Sequence, residues 1–249
     1  MKRWIQGAIG FLLVSSGVWW YGFSLPTTLF AAAHSHVLLD RNGRLLSAHI
    51  AADEQWRFPE LDTVPDKFAI ALIQFEDKRF RQHHGVDFLA LARASYDNLR
   101  AQRIVSGAST LSMQVIRLSR GNPPRSLDEK LLELLRAWRL ESRYGKDEIF
   151  KLYASHAPFG GNVVGLEAAA WRYFARSPDQ LSWAESAMLA VLPNNPALIH
   201  PGRNRQRLLA KRNRLLQQLY QQHILSKLEY DLAVAEPLPE APQPLPQLA

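Results

Sequence analysis

Two adjacent carboxylates, Glu76 and Asp77, are the side chains of this sequence best suited to chemistry. They stand where an apolar helical run, Phe68 to Phe75, comes to an end. Three Lys or Arg residues and two His residues follow within the next eight positions. A carboxylate at the buried end of a helix, ringed by cations, could act as a general base toward an anionic substrate. The same cluster could equally be a solvated helix end with local salt bridges, because charged clusters mostly face water.

Two further polar stretches could bind an anion. The stretch 107–117 places Ser109 and Thr110 before a predicted helix that runs to Leu118. Either residue suits an N-cap, and the free N–H groups of a helix start suit an anionic oxygen. Residues 125–133 begin a long amphipathic helix, in which Lys130 and Glu133 lie at helical neighbour spacing and can share a face.

Taken together, these stretches resemble the peptidoglycan glycosyltransferase family, the polymerase module of class A penicillin-binding proteins. The family's first motif, E-D-x-x-F-x-x-H-x-G-x-D, is met by Glu76, Asp77, Phe80, His83, Gly85 and Asp87. Its second motif, G-x-S-T-x-x-x-Q-x-x-K, is met by Gly107, Ser109, Thr110 and Gln114, with Arg117 in place of Lys. Three more motifs follow in order up to Pro201, and the variants at 113–115 and 158–162 look most like the penicillin-binding protein 1C branch.

The third and fourth motifs depart from the family pattern. Lys130 and Glu133 match R-K-x-x-E, but Glu129 replaces the usual Arg. This substitution reverses a charge near the expected pyrophosphate site, and Arg125 or Arg136 could compensate for it. The fourth motif lacks its common Tyr-x-Asn, and Ala154-Ser155-His156 stands before its glycines. The fifth, residues 181–193, has the apolar periodicity of a buried core helix.

The resemblance implies an enzyme that polymerises lipid II, a disaccharide-peptide carried on undecaprenyl pyrophosphate. Each step is an inverting glycosyl transfer that releases undecaprenyl pyrophosphate. Glu76 would be the catalytic base, and Glu133 the second catalytic carboxylate, near the pyrophosphate directly or through a substrate-bound divalent ion, Mg²⁺ or Mn²⁺. The implied substrate-binding residues are Asp77, Phe80, His83, Ser109, Thr110, Gln114, Arg117, Arg125 and Lys130.

The implied fold is mainly α-helical, two-lobed and lysozyme-like, with a small N-terminal β-hairpin that turns at Asn42-Gly43. Residues 1–36 are expected to form a cytoplasmic N-terminus, a transmembrane anchor and a connector, because the run from Trp4 to Phe23 is about long enough to span a bilayer. A cleaved signal peptide is the alternative. Residues 37–235 would form the glycosyltransferase domain. Residues 236–249 would form a Pro-rich linker or tail, with the transpeptidase domain absent.

Composition limits the partners of the chain. The 249 residues carry a net charge of +7, which suggests an anionic lipid or a phosphorylated substrate, and no nucleic-acid motif is present. The absence of Cys excludes disulfides and thiolate chemistry. The expected location is the cytoplasmic (inner) membrane, single-pass, with the catalytic domain on the extracytoplasmic, periplasmic side. Expected partners are lipid II, the growing glycan strand, the membrane and cell-wall synthesis proteins.

Several alternatives stay open at this point. Glu129 and the altered fourth motif favour a catalytically impaired scaffold that binds lipid II or glycan. A muramidase-type hydrolase would use Glu76 with water, but it needs no phosphate-binding cations. The apolar face of the predicted helix 88–102 could touch a membrane or pack in the core. The basic helical stretch 203–234 could lie on an anionic membrane or pack by its leucines.

Overall fold

The structure, a computed structural model, describes residues 2–103, 107–194 and 201–247. The described chain is mainly helical, as predicted. Its helices and strands are, in chain order, α1 (Lys2–Phe23), β1 (His36–Leu39), β2 (Leu45–His49), β3 (Trp56–Arg57), α2 (Asp66–Glu76), α3 (Phe88–Ala101), α4 (Leu111–Ser119), α5 (Leu127–Arg143), α6 (Lys146–His156), β4 (Val163–Val164), α7 (Leu166–Phe174), a 3-10 turn (Pro178–Gln180), α8 (Trp183–Val191), α9 (Arg205–Gln221) and α10 (Lys227–Ala235).

The chain divides into two compact units, each assembled from two separate segments. The first unit comprises Met1–Ala31 and Gln82–Lys146, and the second comprises Ala32–Arg81 and Asp147–Ala249. The N-terminal helix therefore belongs with the segment that carries the second and third motifs. The two carboxylates Glu76 and Asp77 belong to the other unit.

Side-chain caps fix where the helices of the first unit begin. Asp87, Thr110 and Ser126 are the N-caps of α3, α4 and α5, and each side chain accepts a hydrogen bond from the backbone N–H three residues later. Such caps satisfy a donor that the helix itself cannot pair. The predicted helices 88–102, 109–118 and 125–144 are thereby confirmed, with ends shifted by one or two residues.

Helix α3 exposes most of its apolar side chains. Phe88, Leu89, Tyr96 and Leu99 are each more than half exposed, whereas Ala94 is buried. From the sequence, the apolar face of α3 could either pack in the core or touch a membrane. In the structure this face does not pack in the core. The family resemblance places a segment that dips into the membrane surface near residues 89–106, of which 104–106 lie outside the described residues.

The predicted anchor forms a 22-residue helix, α1. Among the helices that the structure describes, none combines the length and the apolarity needed to cross a membrane. The helix is thus confirmed, whereas its membrane-spanning character is not. Within α1, Gln6, Ser15 and Ser16 interrupt the apolar side chains, and Trp19 and Trp20 add polar ring nitrogens.

The second unit is built around a core in which α2 packs against α8. Phe68 and Leu72 of α2 are fully buried, and the Phe68 ring lies 6.2 Å from that of Phe159. Helix α8 begins at Ser182 with a capping box that Glu185 completes. The fifth motif therefore acts as scaffold, as its periodicity predicted. Pro196, expected to close it, lies outside the described residues.

Strands β1 and β2 form the predicted antiparallel hairpin, but the turn is wider than two residues. A bulge interrupts the pairing between Leu38 and Leu39. The Asp40 carboxylate accepts hydrogen bonds from the backbone N–H groups of Asn42 (2.7 Å) and Arg44 (2.8 Å). A side chain that satisfies two backbone donors stabilises a five-residue loop where the Asn-Gly pair alone predicts a tighter one. Strands β3 and β4 form a second, parallel pair.

The C-terminal region is packed onto the second unit. The stretch 203–234 splits into α9 and α10. Four of the five α9 leucines are buried and Leu209 is exposed, so α9 packs by most of its leucines. The tail from residue 236 was expected to be a linker, yet the Pro246 carbonyl accepts a 3.0 Å hydrogen bond from the backbone N–H of Ala48. Leu238 and Leu245 are also buried, because they supply apolar surface that the Pro-rich composition obscures.

Candidate active site

A buried carboxylate surrounded by cations lies in the first unit. Glu133, on α5, is buried. Its two carboxylate oxygens face Lys130 Nζ at 3.4 Å and Arg117 Nε at 3.7 Å. Lys130 also donates a hydrogen bond to the hydroxyl of Ser109, just before α4. The structure therefore brings together four of the predicted site residues, contributed by the N-terminal side of α4, by α4 itself and by α5.

Arg117, Arg125 and Lys130 form a cation cluster beside Glu133. Its positive charge exceeds the negative charge of that one carboxylate, which distinguishes it from a structural ion pair. Burial lowers the pKa of Lys130, and the nearby charges of Arg117 and Arg125 lower it further, while Glu133 opposes the change. Burial likewise lowers the pKa of Arg117, with Arg125 as the next cause. Three cations therefore share the neighbourhood of one carboxylate. Partly desolvated cations in excess are well placed to bind a polyanion such as a pyrophosphate.

The charge reversal at Glu129 has a local partner that the sequence did not reveal. Arg120, at the end of α4, binds both carboxylate oxygens of Glu129 through two guanidinium nitrogens. This bidentate contact lowers the pKa of Glu129. The sequence suggested Arg125 or Arg136 as compensating residues. The direct partner is Arg120, and the charge of Arg136 also lowers the pKa of Glu129 as a smaller cause. An arginine outside the cation cluster thus neutralises Glu129. The charge of Glu129 therefore does not cancel the positive charge of Arg117, Arg125 and Lys130.

Thr110 positions α4. Its hydroxyl donates to the carbonyl of Gly85 (2.6 Å) and accepts from the backbone N–H of Met113 (3.2 Å). The residue is buried, so its capping role is confirmed. To donate a hydrogen bond to a substrate, the Thr110 hydroxyl would have to give up its bond to Gly85. Gln114 lies on the first turns of the same helix and is half-buried.

His83 lies in a buried polar network in the first unit. Its Nδ1 is 3.9 Å from the carboxylate of Glu141, which also accepts hydrogen bonds from Ser112 (2.5 Å) and Lys146 (2.7 Å). His83 and Glu141 are both almost fully buried. The His83 side chain therefore supports the packing of α4 and α5. Glu141 was missed by the sequence analysis, although its spacing of eight residues from Glu133 along α5 hinted at a second inward-facing carboxylate.

Glu76 is the last residue of α2 and is half-buried in the second unit. The charge of Glu76 affects the pKa values of two side chains in this unit. Burial and the charge of Glu76 together raise the pKa of Tyr153, and burial lowers the pKa of Lys211 while Glu76 opposes that change. Lys211 also donates a 2.9 Å hydrogen bond to Asn194. Lys211 therefore lies within electrostatic reach of Glu76. The sequence did not single out Lys211, because nothing in its basic stretch distinguishes it from its neighbours.

Two first-motif residues in the second unit are buried structural groups. Phe80 is fully buried, with its ring 5.9 Å from that of Phe150. The packing of the Phe80 ring is a structural role, and its predicted contact with substrate stays a prediction. Asp77 is also buried; its backbone N–H caps α2 through the carbonyl of Ile73 (3.1 Å), and its own carbonyl accepts from the N–H of Phe80 (2.9 Å).

His156, which replaces part of the fourth motif, is buried and paired. Its Nε2 lies 3.0 Å from a carboxylate oxygen of Glu60. Burial lowers the pKa of His156, and the contact with Glu60 opposes that change. The sequence left this residue open between a polar lining and a structural role, and the observed pairing across the loop before α2 supports the structural one.

The described residues do not fit a divalent ion held by the protein itself. Across residues 2–103, 107–194 and 201–247, no group of three or more His, Asp or Glu side chains is arranged to hold a metal. Glu133 contributes one carboxylate to a cluster rich in cations, whereas Mg²⁺ is bound by several oxygen ligands. The cation cluster is suited to an anion, not to a metal ion.

Comparison with known proteins identifies the family. The family model described as Transglycosylase matches residues 42–220. The chain is 37% identical to penicillin-binding protein 1C of Escherichia coli K12 over 99% of this chain and 32% of that protein. It is 34% identical to penicillin-binding protein 1A of Aquifex aeolicus over 80% of this chain and 27% of that protein.

A third relative is closer in length to this chain. It is a Cupriavidus necator protein named as a candidate transglycosylase, 37% identical over 70% of this chain and 75% of that protein. By contrast, the chain spans about a third or less of the length of the two penicillin-binding proteins. The match over residues 42–220 contains the two motif stretches and both carboxylates singled out from the sequence. The chain therefore belongs to the transglycosylase family, to which the glycosyltransferase modules of class A penicillin-binding proteins also belong.

Proposed function

We propose that this protein is a peptidoglycan glycosyltransferase that polymerises lipid II into glycan strands and releases undecaprenyl pyrophosphate. The observation that carries the proposal is the cation cluster of Arg117, Arg125 and Lys130 around Glu133. A lipid-linked donor sugar carries a pyrophosphate, and two partly buried cations, Arg117 and Lys130, together with the exposed Arg125 match that charge. Family membership supplies the reaction type, and the cluster supplies the substrate chemistry.

Glu76 is proposed as the general base. It would remove the proton from the acceptor sugar hydroxyl as that oxygen attacks the anomeric carbon of the donor, with inversion. The bond from the anomeric carbon to the pyrophosphate oxygen breaks, and the electron pair leaves with the pyrophosphate. A general base contributes typically 10²–10⁴-fold to such a step. Lys211 and Tyr153, which sense the charge of Glu76, would hold its carboxylate in place.

Arg117, Arg125 and Lys130 are proposed to stabilise the leaving pyrophosphate. Negative charge grows on its bridging oxygen as the bond breaks, and fixed cations oppose that charge most strongly in the transition state. The Ser109 hydroxyl, already bonded to Lys130, would orient the ammonium and offer a further donor. Hydrogen bonds to charged groups contribute about 1.5–3 kcal/mol each, so loss of one cation should lower kcat/KM by roughly 10- to 100-fold.

Glu133 is proposed to align the cations. Its two oxygens lie within 3.7 Å of Arg117 and Lys130, which fixes both side chains on the helix pair α4 and α5. A divalent ion, Mg²⁺ or Mn²⁺, would arrive with the pyrophosphate and be held mainly by phosphate oxygens. The steps assigned to the residues of this chain do not depend on that ion.

The proposed location of the catalytic domain is the outer face of the cytoplasmic membrane, because the substrate is lipid-linked. The exposed apolar side chains of α3, Phe88, Leu89 and Leu99, supply surface for contact with lipid. Lipid II, the growing strand and the membrane are the proposed partners, together with other cell-wall synthesis proteins.

Two alternatives lose support from the arrangement in the first unit. A lipid II-binding scaffold without activity was favoured by the charge reversal at Glu129, and that carboxylate is paired with Arg120. A muramidase-type hydrolase cleaves a neutral glycosidic link and gains nothing from a cation cluster. The hydrolase does not explain why Lys130 and Arg117 are both partly buried beside a single carboxylate. A scaffold that binds lipid II would use the same cations, so the measurement of activity separates it from the enzyme.

The test is polymerisation of purified lipid II in detergent with Mg²⁺, run with the parent protein and with Glu76→Gln. The parent should form glycan strands, and Glu76→Gln should form at least 100-fold fewer while still binding lipid II. Glu60→Gln is the matched control, since it removes one carboxylate at the loop before α2, and it should keep most of the activity. Strands from Glu76→Gln at the parent rate would remove Glu76 from the mechanism. Lipid II binding with no strands from the parent would favour the scaffold.

A further inference from the structure

Three arginines lie along one face of α5, away from the cation cluster. Arg136, Arg139 and Arg143 are spaced by three and four residues, which places them on one side of a helix. The guanidinium of Arg136 lies 5.6 Å from the ring centroid of Tyr21 in α1. Arg143 donates to the carbonyls of Pro26 (3.0 Å) and Thr27 (3.1 Å), just beyond α1. This arginine row therefore borders the C-terminal end of α1 within the first unit.

Tryptophan side chains stand opposite the arginine row. A cleft of about 280 Å³ is lined by Trp19, Trp20, Ser24, Leu25, Arg139 and Arg143. Trp19 and Trp20 are 61% and 75% exposed. The cleft volume lies just below the ~300–1,000 Å³ range of small-molecule sites, which suits a small headgroup better than a whole cofactor.

The charge of the cleft is unbalanced. Within the described part of the chain, no ion pair joins Arg139 or Arg143 to a carboxylate. Arg139 is exposed and its guanidinium donates to the hydroxyl of Ser142 (3.3 Å). Guanidinium groups bind phosphate through paired N–H donors, and indole rings prefer the boundary between lipid tails and water. Both halves of the cleft therefore point to one kind of ligand, a phosphate attached to a lipid.

We propose that the cleft between α1 and α5 binds the phosphate of an anionic phospholipid headgroup, with Arg139 and Arg143 as the phosphate ligands and Trp19 and Trp20 against the adjoining glycerol and acyl region. This headgroup cleft is distinct from the proposed active site. Arg143 lies ten residues beyond Glu133, which is about 15 Å along the axis of α5. The inference does not rest on the proposed enzymatic activity.

The test measures binding of the full chain to vesicles of phosphatidylglycerol with phosphatidylcholine and to vesicles of phosphatidylcholine alone. Three exposed arginine variants separate a headgroup site from diffuse attraction: Arg139→Gln, Arg139→Lys and, as a control of equal charge change on α9, Arg214→Gln. Arg139→Gln should weaken binding to the anionic vesicles about five-fold. Arg139→Lys should weaken it about three-fold, because Lys keeps the charge but lacks the planar pair of donors.

Three results would overturn the proposal. If Arg139→Lys binds the anionic vesicles as well as the parent does, the attraction is diffuse and no phosphate site exists. If Arg214→Gln loses as much as Arg139→Gln, the net charge of the chain explains the binding. A third arm adds soluble glycerol phosphate as competitor: it should not displace the vesicles, and full displacement would show that the cleft recognises free phosphate rather than a lipid. Far-UV circular dichroism of each variant confirms that the helices are intact.

Discussion

Replacing Gly85 with Ala is expected to destabilise the first unit and disturb the start of α4. Gly85 has a φ of +79°, and a Cβ there would lie 2.6 Å from the carbonyl oxygen of Ala137 and 2.7 Å from the backbone nitrogen of Trp138. The left-handed backbone costs an L-residue about 1–2 kcal/mol. Overpacking against a rigid backbone adds about 1–3 kcal/mol. The sum predicts a loss of about 2–5 kcal/mol in the free energy of unfolding.

Gly121→Ala provides the matched control in the same unit. Gly121 has a φ of +73°, but nothing lies within 4 Å of an added Cβ, so only the backbone cost of about 1–2 kcal/mol applies. The assay is urea unfolding of both variants, followed by circular dichroism. Because the Gly85 carbonyl accepts the Thr110 hydroxyl, Gly85→Ala should also weaken substrate binding, whereas Gly121→Ala should not. Equal losses of stability in the two variants would refute the steric reasoning.

Three further outcomes are expected. Burial lowers the pKa of His156, so the unfolded state binds more protons than the folded state below about pH 6.5. The free energy of unfolding should therefore be highest above that pH and fall as the pH drops through the lowered pKa. His156→Gln should flatten this pH dependence in pH-jump denaturation. Glu129→Arg, although it restores the family residue, should raise the KM for lipid II because it opposes Arg120, and the exchange variant Arg120→Glu with Glu129→Arg should recover the parent KM. Removal of residues 237–249 should lower the melting temperature, since the buried Leu238 and Leu245 contribute about 1.5–3 kcal/mol each.

Local sequence signals predicted most of the helices and the family. Caps such as Thr110 and Ser126 and the apolar periodicity of α8 act over a few residues, so their signal is complete in the sequence. Motif spacing also selected Ser109, Arg117, Lys130 and Glu133, which the structure brings together. These residues lie on two helices that follow one another along the chain.

The sequence failed where a side chain depends on a distant partner. Arg120 neutralises Glu129 across a loop, and no periodicity relates the two positions. The motif that contains Phe80 does not reveal that its ring packs against Phe150 of α6. The Pro-rich composition of the tail predicts a linker. The hydrogen bond between Pro246 and Ala48 of β2 joins residues almost two hundred positions apart, so local composition could not reveal it.

The most direct test of the central claim is the stoichiometry of the reaction. Lipid II should be incubated with the parent protein, and the undecaprenyl pyrophosphate released should be measured against the glycosidic bonds formed. Glycosyl transfer predicts one pyrophosphate lipid for every bond, and neither product from Glu76→Gln. Glycan chains formed by the parent without release of undecaprenyl pyrophosphate, or bound lipid II with neither product from the parent, would contradict the account.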